Sequence, residues 1–424
     1  IDQYGWYHDT RRPQGRKVKL RDNGVYASER HMKIAMVGFG QAGGKVLDRF
    51  LKYDEDTGSN IVRAAVAVNT AKADLMGLDR VPESSRVLIG QARVKGHGVG
   101  ADNALGAEVA EEDVNEIQAA FDGIPVHEVD AFLIIAGLGG GTGSGGAPVL
   151  AKYLKRIYTE PVYGLGIMPG ADEGGIYTLN AARSFQTFVR EVDNLLVFDN
   201  DAWRQTGESM EKGYAQINDE IARRFGVLFG AGELDMGSEI AESVVDSSEI
   251  INTLACGGVS TLGYAREELK QTSESNGLLS KLTGAGEGPQ IDAATTTNRI
   301  TSLVRKAALG RLTLPCELSG TERALLVMSG PPKFLNRKGI ERGRKWLEEQ
   351  TGSMEVRGGD YPVSSSNYVA GVVLLSGVTN VPRIKELQQV AIEAQENIDE
   401  LRSDSDANLK DLVEDDEDEL EPLF

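Results

Sequence analysis

The sequence predicts an α/β protein in which a doubly wound, mostly parallel sheet precedes a long central helix and a smaller α+β carboxy-terminal domain. Two observations predict the sheet: short β-branched runs alternate with helical patterns, and glycine-rich segments follow the first and third of these runs. Such alternation is typical of parallel sheets that bind ligands beyond the carboxyl ends of their strands. An unbroken helical pattern over residues 210–230 predicts the central helix.

The elements follow in order from Lys33. The first two strands are predicted at KIAMVGFG and IVRAAVAVNT, with a helix at QAGGKVLDRFLKY between them. A third strand at DAFLIIAG leads through glycines into a helix at APVLAKYLKRIY, which would have Pro148 in its first turn. Further strands are predicted at PVYGLGIMP and NLLVFDN. Beyond the central helix we expect strands at RALLVMSG and YVAGVVLLSG, a helix at IERGRKWLEEQ between them, and a mobile polar loop over 268–290.

Composition and charge exclude several classes of protein. The chain has 424 residues, which fits two domains, and its net charge of −19 disfavours non-specific binding to nucleic acid. That charge divides into +3 over 1–31, −13 over 32–402 and −9 over 403–424. No apolar run approaches the ~18 residues of a transmembrane helix. Two cysteines, Cys256 and Cys316, and four histidines without a C-x-x-C motif fit a reducing cytoplasm and disfavour a structural zinc site.

The first glycine-rich segment, over 38–43, spells G-x-G-x-x-G between a strand and a helix. Alone this predicts a dinucleotide site, which also needs an acidic residue at the end of the second strand. Asn69 and Thr70 stand there instead, so an NAD-dependent oxidoreductase is disfavoured but stays open. A Walker phosphate loop does not fit, because Val46 follows the Gly-Lys pair where that motif has Ser or Thr.

The second glycine-rich segment, over 137–145, has six glycines in nine residues. We expect these glycines to serve a ligand rather than helix or strand packing, because each one costs backbone entropy. Glycine allows backbone N–H groups to converge, and the segment opens onto a helix N-terminus, as in a phosphate-binding loop. Thr142 and Ser144 add hydroxyl donors. A flexible linker is the alternative, although linkers seldom join a buried strand to an apolar helix.

GGGTGSG resembles the signature of the tubulin/FtsZ superfamily, and similar segments occur in the family's order at GFGQAGG, AVNTAKADL, GHGVGAD, PGADEGG and FDNDAW. Their mixture of tubulin-like and FtsZ-like spellings, in an acidic chain, is most similar to the archaeal CetZ group, a cell-shape branch. The resemblance covers most of 33–265 and implies GTP or GDP with Mg²⁺. The segments expected from it are a GTP-binding domain over 32–205, the central helix over 206–232 and an activation and assembly domain over 233–395. Composition adds the two ends: residues 1–31 lack apolar periodicity and are expected to be a leader, with a native flexible arm as the alternative, and the like-charged run near the end predicts a disordered acidic tail over 396–424.

The resemblance also implies roles for particular residues. The phosphates would meet the backbone of three loops, formed by Gly40, Gln41 and Ala42; by Gly98, Val99, Gly100 and Ala101; and by Gly139, Gly140, Gly141, Thr142 and Gly143. Glu173 would bind the ribose and Asn200 would lie near the ribose and base, although Tyr177 stands where the family usually has an arginine. On the central helix Tyr214 would stack on the base, and Asn218 with Asp219 would bind the edge of guanine. The metal ligands stay unassigned.

The resemblance implies reactive carboxylates at Asp246 and Glu249, although Val244 stands where the family has an asparagine. One acid would polarise a water molecule and the other would orient that water or a hydrated cation. In the family's fold these acids lie far from the glycine loops of their own subunit. They would therefore act on the nucleotide of the next subunit in a head-to-tail filament, which a heterologous, non-closing contact produces.

We therefore expect a magnesium-dependent GTPase that self-assembles and acts in archaeal cell-shape control. A nucleotide-stabilised structural filament with negligible turnover is the alternative, and an NAD-dependent oxidoreductase is a third possibility. Because residues 32–402 carry −13, subunits repel one another, and we expect assembly to need substantial salt, as in a halophilic source.

Overall fold

The computed structural model describes residues 31–124, 126–204, 210–231, 245–269, 293–364, 366–394 and 396. The strands are β1 (Ile34–Phe39), β2 (Val62–Asn69), β3 (Arg86–Leu88), β4 (Ala131–Gly137), β5 (Val162–Met168), β6 (Asn194–Asp199), β7 (Val259–Glu268), β8 (Arg323–Gly330), β9 (Glu355–Pro362) and β10 (Tyr368–Ser376). The helices are α1 (Gly40–Thr57), α2 (Lys72–Met76), α3 (Gln91–Val94), α4 (Asn103–Glu112), α5 (Val114–Phe121), α6 (Thr142–Ile157), α7 (Gly175–Glu191), α8 (Asn200–Trp203), α9 (Met210–Phe229), α10 (Ser247–Leu254), α11 (Ala293–Leu309) and α12 (Arg337–Thr351). Residues 382–394 are also helical.

All described strands form one sheet in the order β3-β2-β1-β4-β5-β6-β7-β10-β8-β9. Every pairing from β3 to β7 is parallel, which confirms the predicted mostly parallel sheet. Successive side chains of β1 enter two separate apolar cores, Val37 and Phe39 on one face of the sheet and Ile34 and Met36 on the other. Helices cover both faces, as a parallel sheet requires.

The second half of the sheet is mixed. Strand β10 pairs antiparallel with both β7 and β8, whereas β8 pairs parallel with β9. A short parallel ladder, Leu195 with Val259 and Leu196 with Ser260, joins this half to β6. This arrangement matches the α+β character predicted for the carboxy-terminal part, and the sheet continues through both predicted domains.

Helix α9 runs between the carboxyl ends and the amino ends of the parallel strands. Its 20 residues span about 30 Å. It ends where the backbone N–H of Met32, just before β1, donates to the Phe229 carbonyl at 3.1 Å. Helix α10 also lies at the amino ends of the strands, because the Asn194 amide at the start of β6 donates to the Leu254 carbonyl at 3.0 Å. The end of α9 and helix α10 therefore both lie at the amino ends of the strands.

One helix differs from its prediction. Helix α6 begins at Thr142, inside the glycine motif, so Pro148 is its seventh residue rather than a residue of its first turn. A proline there cannot donate to the carbonyl of the residue four before it, which is Ser144. The Ser184 hydroxyl of α7 donates to that carbonyl instead, at 2.8 Å, and the helix continues.

Several predicted segments lie wholly or largely outside the described residues. These are the leader apart from His31, the polar loop apart from Glu268 and Leu269, and the acidic tail apart from Glu396. His31 and Met32 are already buried, so the chain enters the core one residue before the predicted start. No helix within the described ranges is long and apolar enough to cross a membrane.

Candidate functional site

The first predicted loop is very short, since β1 ends at Phe39 and α1 begins at Gly40. Gly40 has φ +73°, which favours glycine, and a Cβ there would lie 2.8 Å from the Gly143 nitrogen. A Cβ on Gly43 would lie 2.1 Å from the Ile135 carbonyl oxygen. The first loop and the main glycine motif are therefore in backbone contact at the carboxyl ends of β1 and β4.

The glycines of the main motif serve two purposes. Gly140 is exposed, and a Cβ there would meet no atom of the described residues within 4 Å. In contrast, a Cβ on Gly145 would lie 2.1 Å from the Asn103 carbonyl oxygen, and one on Gly143 would lie 2.9 Å from the Phe39 carbonyl oxygen. The prediction that packing does not explain these glycines is therefore wrong for Gly143 and Gly145, and also for Gly141, where a Cβ would lie 2.8 Å from the Asp102 nitrogen. Gly140 keeps an open backbone.

Loop 98–101 closes one side of the glycine motif. Gly98, Gly100 and Ala101 all have positive φ, at +83°, +60° and +63°. The Val99 side chain is buried, and its Cγ2 would lie 2.5 Å from a Cβ on Gly141. The loop therefore packs directly on the motif at a position where only glycine fits.

The structure adds two site residues that sequence reasoning missed. The buried Asn180 amide on α7 donates to the carbonyls of Ala101 at 2.7 Å and Gly139 at 3.1 Å, and so ties two loops together. The Asp74 carboxylate accepts from the Gln41 amide at 2.9 Å and from the Asn69 amide at 3.2 Å. An amide among apolar neighbours in a helix is a sequence signal that could have indicated Asn180.

Glu173 and Tyr214 meet at the ribose-side loop. The Glu173 carboxylate accepts from the Gly170 N–H at 2.7 Å. The Tyr214 hydroxyl donates to Glu173, and burial together with this hydrogen bond raises the pKa of Tyr214 above its ordinary value. The Arg204 guanidinium lies 6.0 Å from the Tyr214 ring and pairs with Asp172. The start of α9 is thus joined to this loop.

Asn200 has an unused polar atom. The residue is 6% exposed, and its Oδ1 has no hydrogen-bond partner among the described residues. Asn218 is half-buried on α9, one turn beyond Tyr214. The neighbouring Asp219 is exposed and pairs with Arg49 of α1 at 3.4 Å, so a contact from Asp219 to a base would have to share that ion pair.

The predicted carboxylates lie at the start of α10, beside the amino ends of the strands, with Asp246 as the N-cap residue and Glu249 in the first turn. The Asp246 Oδ1 caps this helix by accepting from the N–H groups of Ser248 at 3.0 Å and Glu249 at 3.2 Å. The Glu249 Oε2 accepts from Arg357 of β9 at 3.0 Å, and this hydrogen bond raises the pKa of the Arg357 guanidinium. Val244, the departure from the family pattern, lies outside the described residues.

Comparison with known proteins agrees with this geometry. The family model "Tubulin/FtsZ family, GTPase domain" matches residues 33–208, and "Tubulin-like CetZ, C-terminal domain" matches residues 207–393. The chain is 76% identical to tubulin-like protein CetZ1 of Haloferax volcanii, over 88% of this chain and 94% of that protein. It is 65% identical to CetZ3 of the same organism, over 93% of this chain and 100% of that protein.

Solved structures give the same assignment. The GDP-bound monomer of Haloferax volcanii CetZ1 is 72% identical with a TM-score of 0.76, over 86% of this chain and 100% of that one. The GTPγS-bound protofilament of CetZ2 is 47% identical with a TM-score of 0.76, over 87% of this chain and 100% of that one. The chain is therefore a CetZ-group member of the tubulin/FtsZ family of GTPases.

Proposed function

We propose that this chain binds GTP at the carboxyl edge of its parallel sheet and assembles head to tail, so that carboxylates of one subunit hydrolyse the GTP of the next. The observation that carries the proposal is the separation of two half-sites on one subunit. The glycine loops lie at one edge of the sheet and the acids of α10 at the other. A relative that forms a GTPγS-bound protofilament supports assembly with bound nucleotide.

The described residues fit a guanine nucleotide. Gly140 offers an open backbone beside the N-terminus of α6, where N–H groups attract phosphate oxygens. Glu173 can accept from ribose hydroxyls. The buried, unpartnered Oδ1 of Asn200 needs a donor, which the amino group or hydroxyls of a guanine nucleoside supply. Tyr214 can stack on the purine, and the Asn218 amide can pair with its edge.

Magnesium would be held mainly through the nucleotide. Within the described residues no three side chains of His, Cys, Asp or Glu form a metal-binding group. Mg²⁺ commonly keeps several waters and binds substrate phosphates together with one or two protein groups. We propose that Gln41 and the carboxylate of Asp74, which contact each other, bind those waters. The ion would neutralise charge on the phosphates.

The two acids of α10 would have different roles in hydrolysis. Asp246 is fixed by its capping bonds, so we propose that it orients the water or a hydrated cation. Glu249, which pairs with the Arg357 guanidinium at 3.0 Å, would polarise the attacking water. Each acid reaches a nucleotide only through assembly, so turnover per subunit should rise as polymer forms.

The test measures phosphate release against protein concentration. Wild-type turnover per subunit should increase above the assembly threshold, and Glu249→Ala should abolish turnover without weakening GTP binding. Glu355→Ala is the matched control, because Glu355 also pairs with Arg357 yet lies on β9. Turnover that survives in Glu249→Ala would overturn the catalytic assignment.

A second candidate is a nucleotide-stabilised structural filament with negligible turnover. The ion pair between Glu249 and Arg357 favours it, because the Glu249 Oε2 already accepts from the guanidinium and is less available to a water molecule. Polymer that forms with GTP and keeps its GTP intact would support this candidate.

We further propose that the polymer acts in the cytoplasm in control of cell shape. Cys256 and Cys316 are free thiols, which suits a reducing compartment. The cell-shape role is supported by similarity to the CetZ group. Deleting the gene and measuring cell outline during growth would test it, and unchanged outlines would count against it.

A further inference from the structure

Arg383 is a residue of the carboxy-terminal region that reaches the nucleotide side of the sheet. It lies near the start of the helical residues 382–394, and its side chain is only 12% exposed. One guanidinium nitrogen, Nη2, donates to the Pro169 carbonyl at 3.1 Å. The Nε lies 3.6 Å from the Asp199 Oδ1, and Nη1 contacts Glu386 of its own helix at 3.4 Å.

The two segments that Arg383 contacts are the two walls of the candidate nucleoside site. Pro169 directly follows β5 and opens the loop that carries Glu173. Asp199 ends β6 and caps α8 by accepting from the Asp201 N–H at 3.2 Å, and the first residue of α8 is Asn200. The two segments also contact each other directly, because the Ala171 N–H donates to the Asp201 Oδ1 at 2.9 Å and Arg204 pairs with Asp172. Arg383 adds a contact to both segments from the carboxy-terminal helix.

The buried carboxylate of Asp199 depends on the positive charge of Arg383. The Asp199 carboxyl is 3% exposed, and its burial raises its pKa to about 6. Arg383 opposes that shift, while Asp201 and Glu386 add to it. Removing the guanidinium would leave a buried carboxylate without its cation, and the carboxyl would take up a proton or move toward water. Either response disturbs the cap beside Asn200.

We propose that Arg383 is a positioning residue for the nucleotide: it holds the ribose-side loop and the turn at Asn200 at a fixed spacing, so the helix over 382–394 sets nucleotide affinity. The inference rests on the nucleotide site proposed above. It extends that site to a helix more than 180 residues beyond Asp199 in the chain. The sequences of the nucleotide loops do not indicate that this helix contributes to binding.

The test compares GTP affinity of the unassembled full chain by equilibrium titration. Arg383→Ala should weaken GTP binding by about 5- to 150-fold, the usual range for coupled sites. Arg383→Lys should restore part of the loss. Lys385→Ala is the matched control, because it removes an exposed cation from the same helix and should leave affinity unchanged. KM should rise in Arg383→Ala while kcat of saturated polymer stays near the wild-type value.

A pH series provides a second measurement. Wild-type affinity should change between about pH 5 and 7 as Asp199 and the γ-phosphate of GTP titrate. Asp199→Asn should remove the part of that change that Asp199 causes and should weaken binding at pH 7. This variant decides the matter if Arg383→Ala fails to fold. Affinity within twofold of wild type in folded Arg383→Ala and in Asp199→Asn would overturn the inference. A wild-type protein that binds no GTP would instead overturn the proposed function.

Discussion

Alanine substitutions at Gly140 and Gly145 should separate ligand binding from packing within one glycine motif. Gly140 is exposed, its φ is outside the positive range, and an added methyl group meets no described atom within 4 Å. Gly140→Ala should therefore leave the fold unchanged or stabilise it by about 0.4–1 kcal/mol through the unfolded state. The methyl group would occupy the space where a phosphate approaches the backbone. Losing a contact to a charged group costs about 1.5–3 kcal/mol, so GTP affinity should fall tenfold or more.

The same change at Gly145 should do the opposite. Its Cβ would lie 2.1 Å from the Asn103 carbonyl oxygen and 2.6 Å from the Ala107 nitrogen, both in the backbone of α4. Ordinary contact needs about 3.5 Å, so α4 must move by more than about 1 Å. Overpacking of this kind costs about 1–3 kcal/mol or more, against about 1 kcal/mol of gained helix propensity. Gly145→Ala should lower the thermal midpoint by several degrees.

Two measurements check this reasoning on the unassembled protein. Differential scanning fluorimetry without nucleotide reports the packing effect, and GTP titration reports the ligand effect. The reasoning would be refuted if Gly140→Ala melted as early as Gly145→Ala, or if Gly140→Ala bound GTP as tightly as wild type.

Three further predictions concern titration, a hydrogen bond and salt. Because Asp199 has a raised folded pKa of about 6, its ionisation costs about 3 kcal/mol of stability. This stability is fully present below about pH 4, where Asp199 is protonated in both states, and it is lost as pH rises through 6. The thermal unfolding midpoint of the wild type should therefore fall relative to that of Asp199→Asn over this range, and midpoints that change in parallel would contradict the prediction. Tyr214→Phe keeps the ring but loses the bond to Glu173, so GTP affinity should fall about 3- to 10-fold, whereas Tyr214→Ala should lose more; equal losses would argue against stacking. Since the body carries −13, light scattering should show assembly at about 1 M salt, where the Debye length is about 3 Å, and little at 0.1 M, where it is about 10 Å; efficient assembly at low salt would refute the charge argument.

The strands of the parallel half could be predicted because they are buried on both faces and read as continuous apolar runs. Strand β4 is buried along its length up to Gly137, and β5 and β6 are buried throughout. The edge strand β9 was not predicted, because it contains charged residues and two glycines and lacks an apolar run. Its pairing with β8 depends on tertiary contacts, and no local pattern in the sequence indicates it.

The site divides in the same way. The loops that join a strand to a helix, such as those that contain Gly40 and Gly140, can be recognised in the sequence as clusters of glycine. Asp74, Asn180 and Arg383 were not predicted, because each contacts residues far away in the chain. The start of α6 was predicted too late, since the glycines at Gly143 and Gly145 suggest a loop until their close contacts are known.

Helix α9 runs from the nucleotide edge of the sheet to the edge that bears Asp246 and Glu249. A head-to-tail polymer of such subunits is polar, with two chemically different ends. At one end the last nucleotide faces solvent and can exchange, whereas at the other end the last nucleotide is covered by its neighbour and the surface that bears Asp246 and Glu249 is exposed. Exchange and growth should therefore differ between the ends. A factor that binds the acidic end can block addition there without touching any nucleotide.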